Sequence, residues 1–283
     1  MSGPETQGAT GSPGAPETVG PPRSAGPTAT PASSGTGEVP LTGGNVAASV
    51  VRVGDTVRKP AGPQTPAVHA LLEHLRSTGF RGAPRSLGVD DAGRHVLEYV
   101  PGRTARDDGS LDATVVGRLA RELHDALDGW APPPDAVWAC PIPADGDDLV
   151  IHNDLAPWNV VVGPDRLVVV DWDAAAPGTR TWDLAYLAIG LVPLRPTTPV
   201  GQAAARLRAL ADGYGLDDEG RDRLVATLAP RATSMHDLLA RGHADGEQPW
   251  ARLWADGHGG FWRRDAEWCH AHAADLARAV RGA

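Results

Sequence analysis

"LVIHNDLAPWNVVVGPDRLVVVDWDAAAPGTRTWDLAYLA", residues 149–188, sets His152, Asp154, Asn159 and Asp171 around short apolar runs. Ile151 closes the first run, and Asn159 opens "NVVVGPDRLVVVDWD", two valine-rich strands joined by a Gly163-Pro164-Asp165 turn. The four polar residues therefore fall at strand ends or in a loop, where a hairpin brings them together. Asp and Asn also populate turns for local reasons, because their side chains bond nearby backbone. It is the ordered set, not any one member, that points to a site.

Phosphoryl transfer asks for these residue types. A carboxylate must receive or orient the proton of an attacking hydroxyl, while oxygen ligands hold magnesium against nucleotide phosphates. Asp154 is the candidate base, and Asn159 with Asp171 the candidate metal ligands. One amide and one carboxylate suffice, because magnesium keeps waters and phosphates as its other ligands. His152 is placed to brace the loop rather than to react.

Composition excludes several other chemistries. The 283 residues are 41% hydrophobic, enough for one large domain or two lobes with a real core. Net charge is −9 and no Lys/Arg-rich run is present, which argues against a nucleic-acid partner. Cys140 and Cys269 lack disulfide or zinc spacing, so a reducing cytoplasm is expected. Neither a basic, apolar leader nor an apolar run of roughly 20 residues is seen, so no membrane association is expected. The oligomeric state is not legible.

Outward from the quoted stretch, residues 1–40 are Gly-, Pro-, Ser- and Thr-rich and are expected to form a disordered tail. "LTGGNVAASVVRVGDTVRKP" reads as a hairpin around Gly54-Asp55, preceded by a Gly43-Gly44 turn. "TPAVHALLEHLRSTGF" has Val68, Leu71, Leu72 and Leu75 at helical spacing, with Thr65 as N-cap and Gly79 past the end. Short strands flank Asp91–Gly93, and Pro101-Gly102 reads as a hinge. "LDATVVGRLARELHDALDGW" is an amphipathic helix with Val115, Leu119, Leu123 and Leu127 on one face. Apart from the quoted stretch, the remainder is mainly helical.

"HNDLAPWN" followed by "VVDWD" and "RTWDLAYLA" resembles the HxDxxxxN and IDWD-type pattern of the aminoglycoside phosphotransferase and choline kinase-like enzymes, relatives of the protein kinases. The resemblance runs from about Leu41 through Ala188. It implies an α+β, bilobal protein-kinase-like fold: a small antiparallel β lobe with one helix over 41–102, and a larger, mainly helical lobe over 103–283. It implies ATP beside the linker from Glu98 through Val100 to Gly102, Mg2+ on Asn159 and Asp171, and Asp154 as base. Asp173 and Asp183 match structural acids of the same segment. The implied activity is transfer of the γ-phosphoryl group to a hydroxyl of a small molecule. The motifs do not separate an antibiotic from a metabolite such as choline, homoserine or a sugar, nor an enzyme from a nucleotide-binding regulatory protein.

Three features depart from that pattern. A strand lysine normally reaches the α- and β-phosphates, and here Arg58 and Lys59 stand side by side on opposite faces; alignment of the run favours Arg58. The helix acid that pairs with the lysine is either replaced by His69 or supplied late by Glu73. Gly43 and Gly44 offer backbone amides to phosphate, but "GGN" is equally an ordinary turn. In the C-terminal part, Trp250, Trp254, Trp262 and Trp268 read either as the lining of an acceptor pocket or as helix core, and Asp237, Asp245 and Glu247 either as attraction for a cationic acceptor or as solvated surface; the second reading of each is favoured. Cys269, His270 and His272 point different ways on a helix and do not form a metal site.

Overall fold

The computed structural model of the chain describes residues 37–41, 50–105 and 111–281. Most of the expected tail, and the Gly43-Gly44 turn, lie outside the described residues. Strand β1 (Val39–Pro40) starts ahead of the boundary expected at Leu41. It pairs with β2 (Val51–Val53), which turns through the two-residue Gly54-Asp55 loop into β3 (Thr56–Pro60). Gly54 lies at φ +57°, a conformation that costs glycine little. With β4 (Ser86–Val89) and β5 (Arg94–Glu98) these strands make an antiparallel sheet in the order β1-β2-β3-β5-β4.

Helix α1 (Thr65–Ser77) crosses between β3 and β4 and buries the expected stripe of Val68, Leu71, Leu72 and Leu75. Thr65 is its first helical residue rather than its cap; its hydroxyl accepts the Gly62 N–H at 2.9 Å, fastening the entry turn. After the linker, β6 (Arg103–Thr104) leads to α2 (Ala113–Leu127), capped by Asp112 through the Thr114 and Val115 amides. Then follow β7 (Leu149–Ile151), β8 (Val160–Val162), β9 (Leu167–Val169) and β10 (Ala176–Gly178). They form two small sheets, β6-β8-β9 and β10-β7. Helices α3 (Arg180–Leu191), α4 (Val200–Tyr214), α5 (Asp218–Asp245), α6 (Trp250–Ala255) and α7 (His258–Arg281) complete the chain.

The face of α2 differs from the expected one. Val115 is exposed, and Val116, Ala120, Leu123 and Leu127 carry the buried stripe with Leu119. Steps of four residues overshoot one turn by about 40°, so Val115, three such steps before buried Leu127, is turned about 120° away from it and off the buried face. Gly117 and Gly213 meet where α2 crosses α4: a Cβ on Gly117 would run into the Leu210 carbonyl, and one on Gly213 into the Thr114 carbonyl. Gly213→Ala is therefore expected to cost about 1–3 kcal/mol, read as a lowered urea midpoint with unchanged slope. An unchanged midpoint would show that the helices can separate freely.

Candidate active site

The Asp154 loop is hung between β7 and β8. Ile151 ends β7, paired with Ala176, and a single 3-10 turn, Pro157–Asn159, delivers the chain into β8. Among the described residues, Asn153 and Asp171 are the non-glycine positions at positive φ, both +65°. Asn and Asp tolerate that region better than most side chains, yet it still carries strain, and here the surroundings hold it.

Asp183, on α3, does much of the holding. Its fully buried carboxylate accepts the His152 N–H at 3.2 Å and the Asn153 N–H at 2.8 Å, and lies 3.1 Å from His124 Nε2. Burial pushes the Asp183 carboxyl up, but the hydrogen bond and charge of His124 and the Asn153 amide hold it below the usual range. Thr179 caps α3, its hydroxyl accepting the Trp182 N–H at 3.1 Å, and leaves Asp183 free for the loop. His124 Nδ1 reaches the Tyr214 hydroxyl at 2.7 Å, so α2, α3 and α4 are locked to the loop through one chain of bonds. Arg231, fully buried on α5, donates to the Asn153 carbonyl at 2.9 Å, with its guanidinium 4.0 Å from the centre of the Tyr186 ring. Asn153 Nδ2 in turn lies 2.6 Å from Cys140 Sγ.

His152 is wholly buried. Its Nδ1 accepts the Asp154 N–H at 3.3 Å and its Nε2 donates to the Val170 carbonyl at 3.1 Å, which assigns the tautomer. Burial pushes the imidazole below its usual range, so it stays neutral. It touches the loop and Trp172, edge to face at 4.6 Å.

Asp154 is half-buried. Asn159 Nδ2 donates to its Oδ2 at 2.8 Å and to its carbonyl at 2.9 Å, and the Tyr186 hydroxyl bonds its carboxyl group. Burial and then the charge of Asp171 push Asp154 up to about 7, against the pull of Asn159, Arg231 and Tyr186. The carboxyl therefore titrates near neutrality, where a general base works well. Because Asn159 directs its amide protons at Asp154, its Oδ1 remains as a ligand oxygen. The Asp171 side chain is 48% exposed. An amide oxygen and an open carboxylate form a hard donor pair that suits magnesium. Among the described residues no three His, Cys, Asp or Glu side chains form a metal cage.

The β3 residues resolve opposite to the alignment. Arg58 turns away to Asp90, Nη1 to Oδ2 at 3.1 Å. Lys59 turns inward, its side chain 8% exposed, with Nζ 2.8 Å from Asp173 Oδ2 and 3.6 Å from Asp171 Oδ1. Glu73 faces outward and pairs with Arg76. His69 Nδ1 lies 2.7 Å from Ser86 Oγ, which is 2.8 Å from His95 Nε2. At the linker, Glu98 is engaged by Arg166 at 2.9 Å and Arg85 at 3.4 Å, and buried Val100 packs with Val161, Val168 and Val170. Gly43 and Gly44 lie outside the described residues.

In the C-terminal helices, Trp262 and Trp268 are buried, Trp250 and Trp254 are half-buried, and Asp237, Asp245 and Glu247 are exposed. Trp262 stacks on Tyr186, with centroids 5.8 Å apart, and so reaches the Asp154 neighbourhood. Cys269 is buried, its thiol pushed up to about 12 by burial, while His270 is exposed. Tyr186, Arg231 and His124 were not singled out from the sequence. Tyr186 follows Asp183 by three residues, a spacing that puts both on one helix face and could have flagged it.

Residues 134–225 match the family described as a phosphotransferase enzyme family, a span that holds the Asp154 loop, Asp171 and Asp183. Over 267 residues the chain is 29% identical to the trifolitoxin immunity protein of Rhizobium leguminosarum bv. trifolii, covering 86% of this chain and 98% of that protein. In three dimensions it resembles a choline/ethanolamine kinase family protein from Mesorhizobium loti, with a TM-score of 0.59 and 18% identity over 87% of this chain and 93% of that one. It also resembles an amicoumacin kinase solved with AMP-PNP, Ca2+ and Ami, with a TM-score of 0.56 and 13% identity over 81% and 88% of the two chains. The fold is thus kinase-like, mixed helix and antiparallel sheet. Among the described residues no helix is long and apolar enough to cross a membrane.

Proposed function

We propose that this chain is an ATP- and magnesium-dependent phosphotransferase that moves the γ-phosphoryl group to a hydroxyl of a small molecule. The observation that carries the reading is the Asp154 carboxyl: bonded by Asn159, beside the charge of Asp171, and raised to about 7. Such a group takes a hydroxyl proton near neutral pH as the oxygen attacks phosphorus and the bond to the leaving diphosphate breaks. Asn159 Oδ1 and the Asp171 carboxylate would hold the cation. When bound, magnesium supplies positive charge to the phosphate oxygens. Lys59 faces the same space from β3 and supplies a second positive charge. His152 and Asp183 keep the loop in place without touching the reactants. In this reading residues 41–102 bind nucleotide and residues 103–283 hold the catalytic loop and acceptor.

The relative named as an immunity protein is matched along nearly its whole length, which favours an acceptor harmful to the cell over a housekeeping metabolite such as choline, homoserine or a sugar. A pooled set of hydroxylated metabolites and antibiotics, incubated with Mg-ATP and read by mass spectrometry, tests both levels. A compound gaining one phosphoryl group identifies the acceptor. Nucleotide binding with no transfer to any member would favour a regulatory, non-catalytic protein, and the absence of binding would overturn the reading.

A further inference from the structure

Lys59 is an ammonium withdrawn from solvent, and such a charge needs a partner. Helix α1 does not supply one: Glu73 is engaged by Arg76, and His69 by Ser86. Among the described residues the lysine's ion pairs are instead with Asp173 at 2.8 Å and Asp171 at 3.6 Å. The first distance is a charge-assisted hydrogen bond; the second is too long for one. Asp173 is aimed at β3 by the single 3-10 turn Trp172–Ala174, which is pinned by buried Trp172, whose Nε1 donates to the Val169 carbonyl at 2.9 Å.

We propose that Asp173 is the positioning residue for Lys59, taking the place of an acid on α1, and that it holds the ammonium aside from Asp171 so that the Asp171 carboxylate can face a divalent cation. The assignment rests on the phosphotransferase reading above. Without Asp173, the nearest carboxylate for the buried ammonium is Asp171. Lys59 would close on it and compete directly with the metal. Asp173 thus acts on the metal ligand through the lysine, and its two effects, orienting one charge and freeing another, are inseparable.

The test is a magnesium titration of binding of a fluorescent ATP analogue to the full chain, in wild type, Asp173→Asn, Asp173→Glu, Lys59→Met and the double variant Lys59→Met/Asp173→Asn. Thermal melts confirm that each is folded. Asp173→Asn is expected to raise the magnesium midpoint about 10-fold, the scale of one hydrogen bond to a charged group, and Asp173→Glu to recover most of it. With Lys59 removed there is nothing to hold aside, so the double variant should match Lys59→Met within about 2-fold. A penalty of equal size in both backgrounds would overturn the assignment, since Asp173 would then act on the cation or nucleotide independently of Lys59. A wild-type midpoint for Asp173→Asn would overturn it too. If wild type binds no nucleotide at any magnesium concentration, the phosphotransferase reading itself fails, an outcome separate from either of these.

Discussion

Asp154→Asn is expected to lower turnover by about 10²- to 10⁴-fold, the range for losing a positioned general base, while nucleotide affinity stays within a few-fold. The substitution keeps the shape of the side chain but removes its charge and its ability to take a proton, so kcat carries most of the loss. In wild type, kcat/KM should fall with a limiting slope of one as pH drops below about 7, where Asp154 is pushed by burial and by the charge of Asp171. Saturating metal neutralises the second of those causes and moves the inflection to lower pH. The stability effect has the opposite sign. A carboxyl raised in the fold keeps its proton through a range in which the unfolded chain has lost it, so stability falls as pH rises from about 4 towards 7. Asp154→Asn is therefore expected to raise Tm at pH 8 and to change it little at pH 4. Full activity in the variant, or a rate profile without an inflection between pH 5 and 8, would remove Asp154 from the role of base.

The arrangement of the loop was legible because its chemistry is local in sequence. Asp154 and Asn159 lie five residues apart, and Asp171 ends the next hairpin, so short-range turn and strand signals already bring them together. Lys59 was not separable from Arg58 in that way. Alternation states that the two face apart, but which face is inward depends on how β3 registers with β5 and on the acids beyond β9. Val115 shows a different limit: a four-residue repeat looks helical on paper but drifts off the buried face within three turns. Arg231 carried no local signal. It reaches Asn153 across 78 residues of sequence, and only the packing of α5 beneath the loop brings it there.

The largest effect on stability is expected at Asp183, which touches no reactant. Its carboxylate accepts two backbone amides from the catalytic loop and faces His124, all without exposure to water. Asp183→Asn keeps the volume but turns one acceptor into a donor, so one of those three groups loses its bond and an N–H meets an N–H. Breaking a buried, bonded charge in this way costs about 3–5 kcal/mol, a large part of the roughly 5–15 kcal/mol that holds a domain folded. The loss should show in urea unfolding at pH 7. Because the Asp183 carboxyl sits below its usual range in the fold, its contribution is present above pH 4 and disappears as pH falls through the folded-state value. Wild type and variant should therefore differ most at neutral pH and converge on acidification. The same variant releases Asn153 from φ +65°, so turnover should drop further than the surviving folded fraction accounts for. Equal urea midpoints at pH 7 would mean that the loop is held by Arg231 and His152 alone.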